Sequence, residues 1–184
     1  AESEIPQDTK VLIIPGPLQP ISEAEVQLID TYLKNGGALI VMEEPPVLTD
    51  FGDRPDPLAD YLSENYGILL GNDVVVDLDA AEMINQPFVA ISAQFSNHMI
   101  TEKMGNMATF FPTARSLTLS EVSTSISQTS LILTTERAWA ETDLATFMYS
   151  TMQPDDGVDP FGPLTLAVAE ENSSTEAKLV VFGD

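Results

Sequence analysis

The 184 residues are 43% hydrophobic and carry 29 Asp and Glu against 7 Lys and Arg, a formal charge of −22. A surface this acidic repels phosphate backbones and anionic lipid head groups, which disfavours nucleic-acid binding and charge-driven docking on membranes. Cysteine is absent, which excludes disulfides, thiolate nucleophiles and Cys-based metal sites. No stretch reaches the roughly 18 to 20 apolar residues of a membrane span, and AESEIPQDTK lacks the basic start and apolar core of a signal peptide. The length suits one α/β domain over residues 1–184.

Residues 1–9 read as a polar lead-in. Val11 to Ile14 is a continuous apolar run rich in β-branched residues, the pattern of a strand buried on both faces. Pro15-Gly16-Pro17 ends it. Ser22 and Glu25 then form a capping box, with Ile21 and Val26 as a hydrophobic staple, and Val26, Ile29 and Leu33 make one apolar helix stripe. Asn35-Gly36-Gly37 stops the helix, and Ala38 to Met42 returns as a second strand. Strand, helix and strand in this order predict a right-handed βαβ unit, hence a mostly parallel sheet flanked by helices in a flavodoxin-like three-layer arrangement.

EEPPVLTDFGDRPDP carries four prolines and reads as a long loop leaving the carboxyl end of the second strand, where open parallel sheets collect ligands. Asp56-Pro57 starts a helix over Leu58 to Tyr66, with Leu58, Tyr61, Leu62 and Tyr66 on one face and Gly67 as its C-cap. Ile68 to Leu70 and Val74 to Val76 flank a bend. Residues 77–136 form a β-rich subregion, with extended pieces at Phe88 to Ser92, Thr109 to Leu119 and Ser130 to Thr135, and one helical turn at Thr101 to Met104. A short helix is predicted over Glu141 to Met148 and a second Pro, Gly and Asp loop over Met152 to Pro163. Leu164 to Glu170 and Lys178 to Phe182 supply the last strands. A chain stopping at the carboxyl end of a buried strand reads as an excised piece of a longer protein.

Pro15-Gly16-Pro17 lies where a phosphate-binding turn would lie, but two prolines lack the amide protons that cradle a phosphate. The bland reading is a rigid turn that aims the helix. His98 is the only histidine, so any Ser-His mechanism runs through it, and no Gly-x-Ser-x-Gly elbow is present. Asp50, Asp53 and Asp56, Asp77 and Asp79, and Asp155, Asp156 and Asp159 form acidic clusters without a Ca²⁺-loop pattern. No catalytic residue, metal ligand or cofactor is assigned. The candidate binding loops are marked by Pro15, Gly16, Pro17, Glu44, Phe51, His98, Trp139 and Phe161. Trp139 is read either as core or as an exposed contact, and an apolar patch near Pro45, Pro46, Phe51 and Phe161 is expected of a binding domain.

The ordered set VLIIPGP, SEAEVQLIDTYLKNGGALIVMEEP, DPLADYLSENYGILLGNDVVVD, SNHMIT, FFPTARSLTL, TSLILTTERAWAETD, FGPLTLAVAEE and KLVVFGD resembles the GldG-like auxiliary family of ABC-type transport systems, named for gliding motility. The resemblance implies an extracytoplasmic domain of a membrane-anchored bacterial protein, with its membrane helices outside these residues and an ABC permease and ATPase as partners. It also implies a fold distantly like glutamine amidotransferases. Their Cys nucleophile has no counterpart here, which implies a non-enzymatic binding role. Met99 stands where the family loop suggests proline. Two rival readings are an envelope hydrolase acting through His98 or a carboxylate pair, and a Ca²⁺-stabilised structural module. Homo-oligomerisation is left open.

Overall fold

The computed structural model describes residues 4–92, 94–105, 107–145 and 153–184. Strand β1 (Leu12–Pro15), helix α1 (Glu23–Lys34) and strand β2 (Ala38–Met42) form the expected βαβ unit, with Leu12 to Pro15 paired in parallel with Leu39 to Met42. The capping box closes as read: the Glu25 amide donates to Ser22 Oγ at 3.3 Å and the Ser22 amide to Glu25 Oε2 at 2.9 Å. The Ser22 hydroxyl, donating to Glu25 Oε2 at 2.6 Å, and then the Ser22 amide hold the Glu25 carboxyl below its usual range. Val26, Ile29 and Leu33 are buried, and Gly36 takes the left-handed conformation (φ +83°) that lets the chain turn into β2.

Beyond β2, a 3-10 turn at Pro46–Leu48 precedes α2 (Pro57–Tyr66), whose Asp56 cap accepts the Ala59 amide at 3.2 Å. Leu58, Tyr61, Leu62 and Tyr66 are its buried residues, as the spacing predicts, and Gly67 ends it with φ +63°. The chain continues through β3 (Ile68–Leu70), β4 (Val74–Asp77), α3 (Leu78–Ile84), β5 (Val89–Ser92), β6 (Gln94–Phe95), β7 (Thr109–Pro112), β8 (Leu117–Leu119), β9 (Ile126–Leu133), β10 (Ala138–Glu141), β11 (Thr165–Asn172) and β12 (Lys178–Phe182).

The main sheet is mixed rather than mostly parallel. Among the described residues only β1–β2 and β2–β12 pair in parallel; β12–β11, β11–β9, β11–β8, β8–β3 and β6–β9 are antiparallel. The cause lies in the connection between β11 and β12: a tight turn returns the chain without the crossover that a parallel neighbour needs. Two smaller antiparallel pairs, β4–β10 and β5–β7, complete the β-rich middle.

Strand alternation splits the core in two. Leu39, Val41, Leu179 and Val181 pack with α1 and α2 on one face. Ala167 and Ala169, with half-buried Val180 and Phe182, pack on the opposite side with Val75, Phe111 and Leu131. This second core lies over β11 and β12, and Val11 and Ile13 on β1 stay exposed. The expectation that β1 is buried on both faces is therefore wrong: Ile14 is buried, but Ile13 is 52% exposed.

Three local expectations also change. Helix α3 fills a stretch to which the sequence reading assigns no element, because Asp77 Oδ1 caps the amides of Asp79 and Ala80. Residues around Thr101 to Met104 form turns, with the Thr101 hydroxyl donating to the Ser96 carbonyl at 2.6 Å. Glu141 closes β10 rather than opening a helix; the rest of that predicted helix, Thr142 to Met148, runs through a turn and beyond the described residues, which also exclude Met152.

Candidate functional site

Parallel register brings the ends of β1, β2 and β12 together, so Gly16, Glu43, Glu44, Gly183 and Asp184 share one end of the sheet. The loops leaving it are tied to each other: the Asp50 amide donates to the Leu18 carbonyl at 3.0 Å and Gln19 Nε2 to Asp50 Oδ2 at 3.3 Å. Glu43 follows Leu39 and Val41 in strand alternation and turns inward like them. It is 1% exposed, and neither carboxylate oxygen has a hydrogen-bond partner. Burial, reinforced by nearby Asp56, pushes its pKa up to about 9 against the pull of Arg115. Glu43 is thus a neutral acid at pH 7.

Arg115 is the cation of this end. It is buried, with Nε donating to the Gly71 carbonyl at 2.6 Å and Nη1 to the Glu44 carbonyl at 3.2 Å. Its own amide donates to the Gly183 carbonyl at 2.7 Å, and a side chain at Gly183 would run into the Arg115 backbone. Desolvation lowers the guanidinium pKa, while Asp73 and Asp56 support its charge. Asp73 accepts from the Ser116 amide at 2.8 Å and the Ser116 hydroxyl at 2.6 Å; burial raises its pKa and these bonds restrain the rise. Asp184 is raised to about 6 by burial and by Glu44. One guanidinium therefore ties several chain segments around a neutral acid. The arrangement fixes loop geometry, and the Glu43 oxygens have no contact with solvent.

The sequence-predicted residues divide among several places. Pro15, Gly16, Pro17 and Glu44 meet here, with Glu44 Oε1 only 3.8 Å from where a Gly16 Cβ would stand. Phe51 is buried in the neighbouring loop and its carbonyl accepts from Arg54 Nε at 2.9 Å. His98 stands apart, in a turn where its Nδ1 accepts the Ile100 amide at 3.2 Å. Trp139 is buried in β10 and bridges Phe161, which is exposed. Glu43, Arg115 and Asp73 escape a sequence reading, although charges embedded in apolar runs, Glu43 after ALIVM and Arg115 before SLTL, are the available signal.

Exposed apolar surface gathers chiefly elsewhere. Pro45 and Phe51 are buried, so the patch expected around them reduces to Val47, Leu48 and Phe161. On the open sheet face, Val11 is 46% exposed, Ile13 and Met42 are exposed beside it, and Met99 in the adjoining turn reaches 73%. Val11, Ile40, Met99, Ile100 and Val180 line a groove of about 250 Å³, beside which Lys178 and Glu171 face each other across β12 and β11. A larger groove of about 690 Å³ lies beside the β11–β12 turn. Its hydroxyl groups largely serve the protein itself, as where Ser173 donates to the Ser125 carbonyl at 3.0 Å. Among the described residues no group of three or more acidic or His side chains is placed to hold a metal ion, and no helix is long and apolar enough to cross a membrane.

A βαβ unit extended by antiparallel strands, with tied loops at its carboxyl end and one sheet face open, defines a mixed α/β domain. The chain belongs to the ABC_transp_aux family, described as ABC-type uncharacterized transport system, whose model matches residues 1–184. The family resemblance read from the sequence agrees with that match. Membership places the chain among auxiliary components of ABC-type transport systems. No curated protein matches it significantly. Among solved structures it is similar to the mmIFT52 N-terminal domain, with a TM-score of 0.65 and 21% identity over 97% of this chain and 67% of that one, a likeness of fold. A putative ThuA-like protein from Bacteroides uniformis gives a TM-score of 0.43 and 13% identity, over 96% of this chain and 61% of that one.

Proposed function

We propose that the chain is a non-enzymatic recognition domain of an ABC-type transport system, one domain of a longer membrane-anchored protein, acting on the extracytoplasmic side of the membrane. Family membership supports the transport setting. The observation that carries the recognition role is the uncovered face of β1 and β2, where Val11, Ile13, Met42, Met99 and Ile100 are exposed together on an otherwise acidic chain. Contiguous apolar surface of this kind marks a protein contact site.

The polar groups at the carboxyl end support the same reading, since Arg115 and Asp73 spend their hydrogen bonds on the protein's own loops. The test is mild cross-linking in native membranes, purification of the full-length parent and identification of what co-purifies. Recovery of the ABC permease and ATPase with the unaltered protein, and their loss with Met99→Glu and Ile100→Glu together, is the expected result. Recovery undiminished by both changes removes this face from the interface, and failure to recover either subunit with the unaltered protein removes the transporter role.

A further inference from the structure

The edge of the main sheet carries a second inference, independent of any transporter partner. β1 is a terminal strand whose outer side pairs with no described residue. The segment Glu4 to Lys10 does not cover it, because it lines a groove with Leu28, Thr31 and Tyr32 on the α1 side. Natural edge strands are commonly blunted by charge; Val11 to Ile14 carry none, and Val11 and Ile13 are also half-exposed through their side chains.

The pairing pattern says which backbone groups are free. The Gly16 amide donates inward to the Met42 carbonyl at 2.9 Å, and in a parallel ladder inward bonding falls on alternate residues. Leu12, Ile14 and Gly16 thus bond to β2, while the amides and carbonyls of Val11 and Ile13 and the carbonyl of Pro15 point outward. The missing N–H of Pro15 is likewise on the outer side, where it costs the β2 ladder nothing.

We propose that β1 pairs antiparallel with β1 of a second copy about a two-fold axis at Ile13. In that register the two Ile13 residues exchange both main-chain bonds, and each Val11 amide donates to the facing Pro15 carbonyl. Ile13 packs beside its counterpart, and Val11 beside Pro15 of the second copy, on the open face, which covers the apolar groups that the single copy leaves wet.

Charge selects this register. Lys10 makes no ion pair or hydrogen bond among the described residues and falls opposite Gly16 of the second copy, on the α1 side of the sheet. Glu44 Oε1 lies 3.8 Å from the point where a Gly16 side chain would begin, so each Lys10 meets the other copy's Glu44. The two-fold axis makes this contact twice. A slide of two residues along the edge keeps the strand parity but loses both pairs.

The experiment is sedimentation equilibrium of the purified chain at about 0.15 M salt, where long-range repulsion is screened to about 8 Å. The expected result is a dimer for the unaltered chain, about tenfold weaker for Lys10→Glu, and restored to within about threefold by Lys10→Glu with Glu44→Lys. Ile13→Pro, which removes the outward amide and the Ile13 side chain but no bond to β2, is expected to give a folded monomer by circular dichroism and sedimentation. A monomer at every concentration, a dimer indifferent to Lys10→Glu, a loss that the double change leaves unrepaired, or a dimer that survives Ile13→Pro overturns the pairing. Association with transporter subunits is read separately, so failure here leaves that reading standing.

Discussion

Two neighbouring parts of the sheet invert the usual placement of residue types. At the end of β2, Glu43 is 1% exposed and unpartnered, while one strand over, Ile13 is 52% exposed. The difference teaches that residue polarity describes what a position tolerates, while coverage by the rest of the chain decides what it meets. Glu43 lies under loops tied by Arg115, and a neutral acid can stay there. Ile13 lies where none of the described residues forms a second layer, and it stays wet until another molecule supplies one.

Breaking the buried end is expected to have the largest effect. Arg115→Ala removes the donor to Gly71 and Glu44 and leaves Asp73 and Asp56 without their compensating charge. A loss of about 3–5 kcal/mol in urea unfolding is expected, the range for breaking a buried charge arrangement on one side. Arg115→Lys keeps the charge but not the fork and should recover only part of it.

Glu43→Gln should act in the opposite direction. The folded pKa of about 9 lies above the ordinary 4.5, so the acid's contribution is complete below about pH 4.5 and is lost as pH rises toward 9. The slope is about 1.4 kcal/mol per pH unit, so the amide should gain roughly 3 kcal/mol at pH 7 relative to the acid. Unfolding midpoints measured from pH 5 to 8 should fall for the unaltered chain and flatten for Glu43→Gln. Glu170, raised to about 7 by burial, adds a smaller fall of the same sign between about pH 4.5 and 7. A chain whose stability rises steadily over this interval would show Glu43 ionised in the fold.

Adjacent positions on β1 sharpen the contrast. Ile14→Ala opens a hole in the α1 core and should cost about 2–3 kcal/mol, whereas Ile13→Ala in dilute solution should cost under about 1 kcal/mol. Equal losses would mean that the outer face is covered. The smallest effect belongs to the cap: Ser22→Ala should remove about 1 kcal/mol, read by thermal unfolding.

Local interactions explain what the sequence made legible. The boundaries of α1 and α2 follow from caps, glycine stops and apolar stripes within a few residues of each other, and all of these recur in the structure. Asp77 carried the same kind of signal for α3, masked by the helix's brevity and by the apolar VVV before it. The direction of β11 and the openness of β1 depend on partners far along the chain, which no local period records. The site divides in the same way. Glu44 and Pro15 to Pro17 were found because strand ends attract ligands in parallel sheets, while Arg115 reaches the same place from an antiparallel region over 70 residues later, its bond to the Glu44 carbonyl spanning 71 positions.

Pro15 gives the exposed edge a stop signal. Its ring removes the outward amide at one end of β1, so a strand laid alongside cannot continue its ladder past that point. A short, terminated edge favours a closed pair over open-ended stacking into fibres. Pro15→Val would restore that amide opposite the Val11 carbonyl of the second copy and tighten the pair by one main-chain bond on each side.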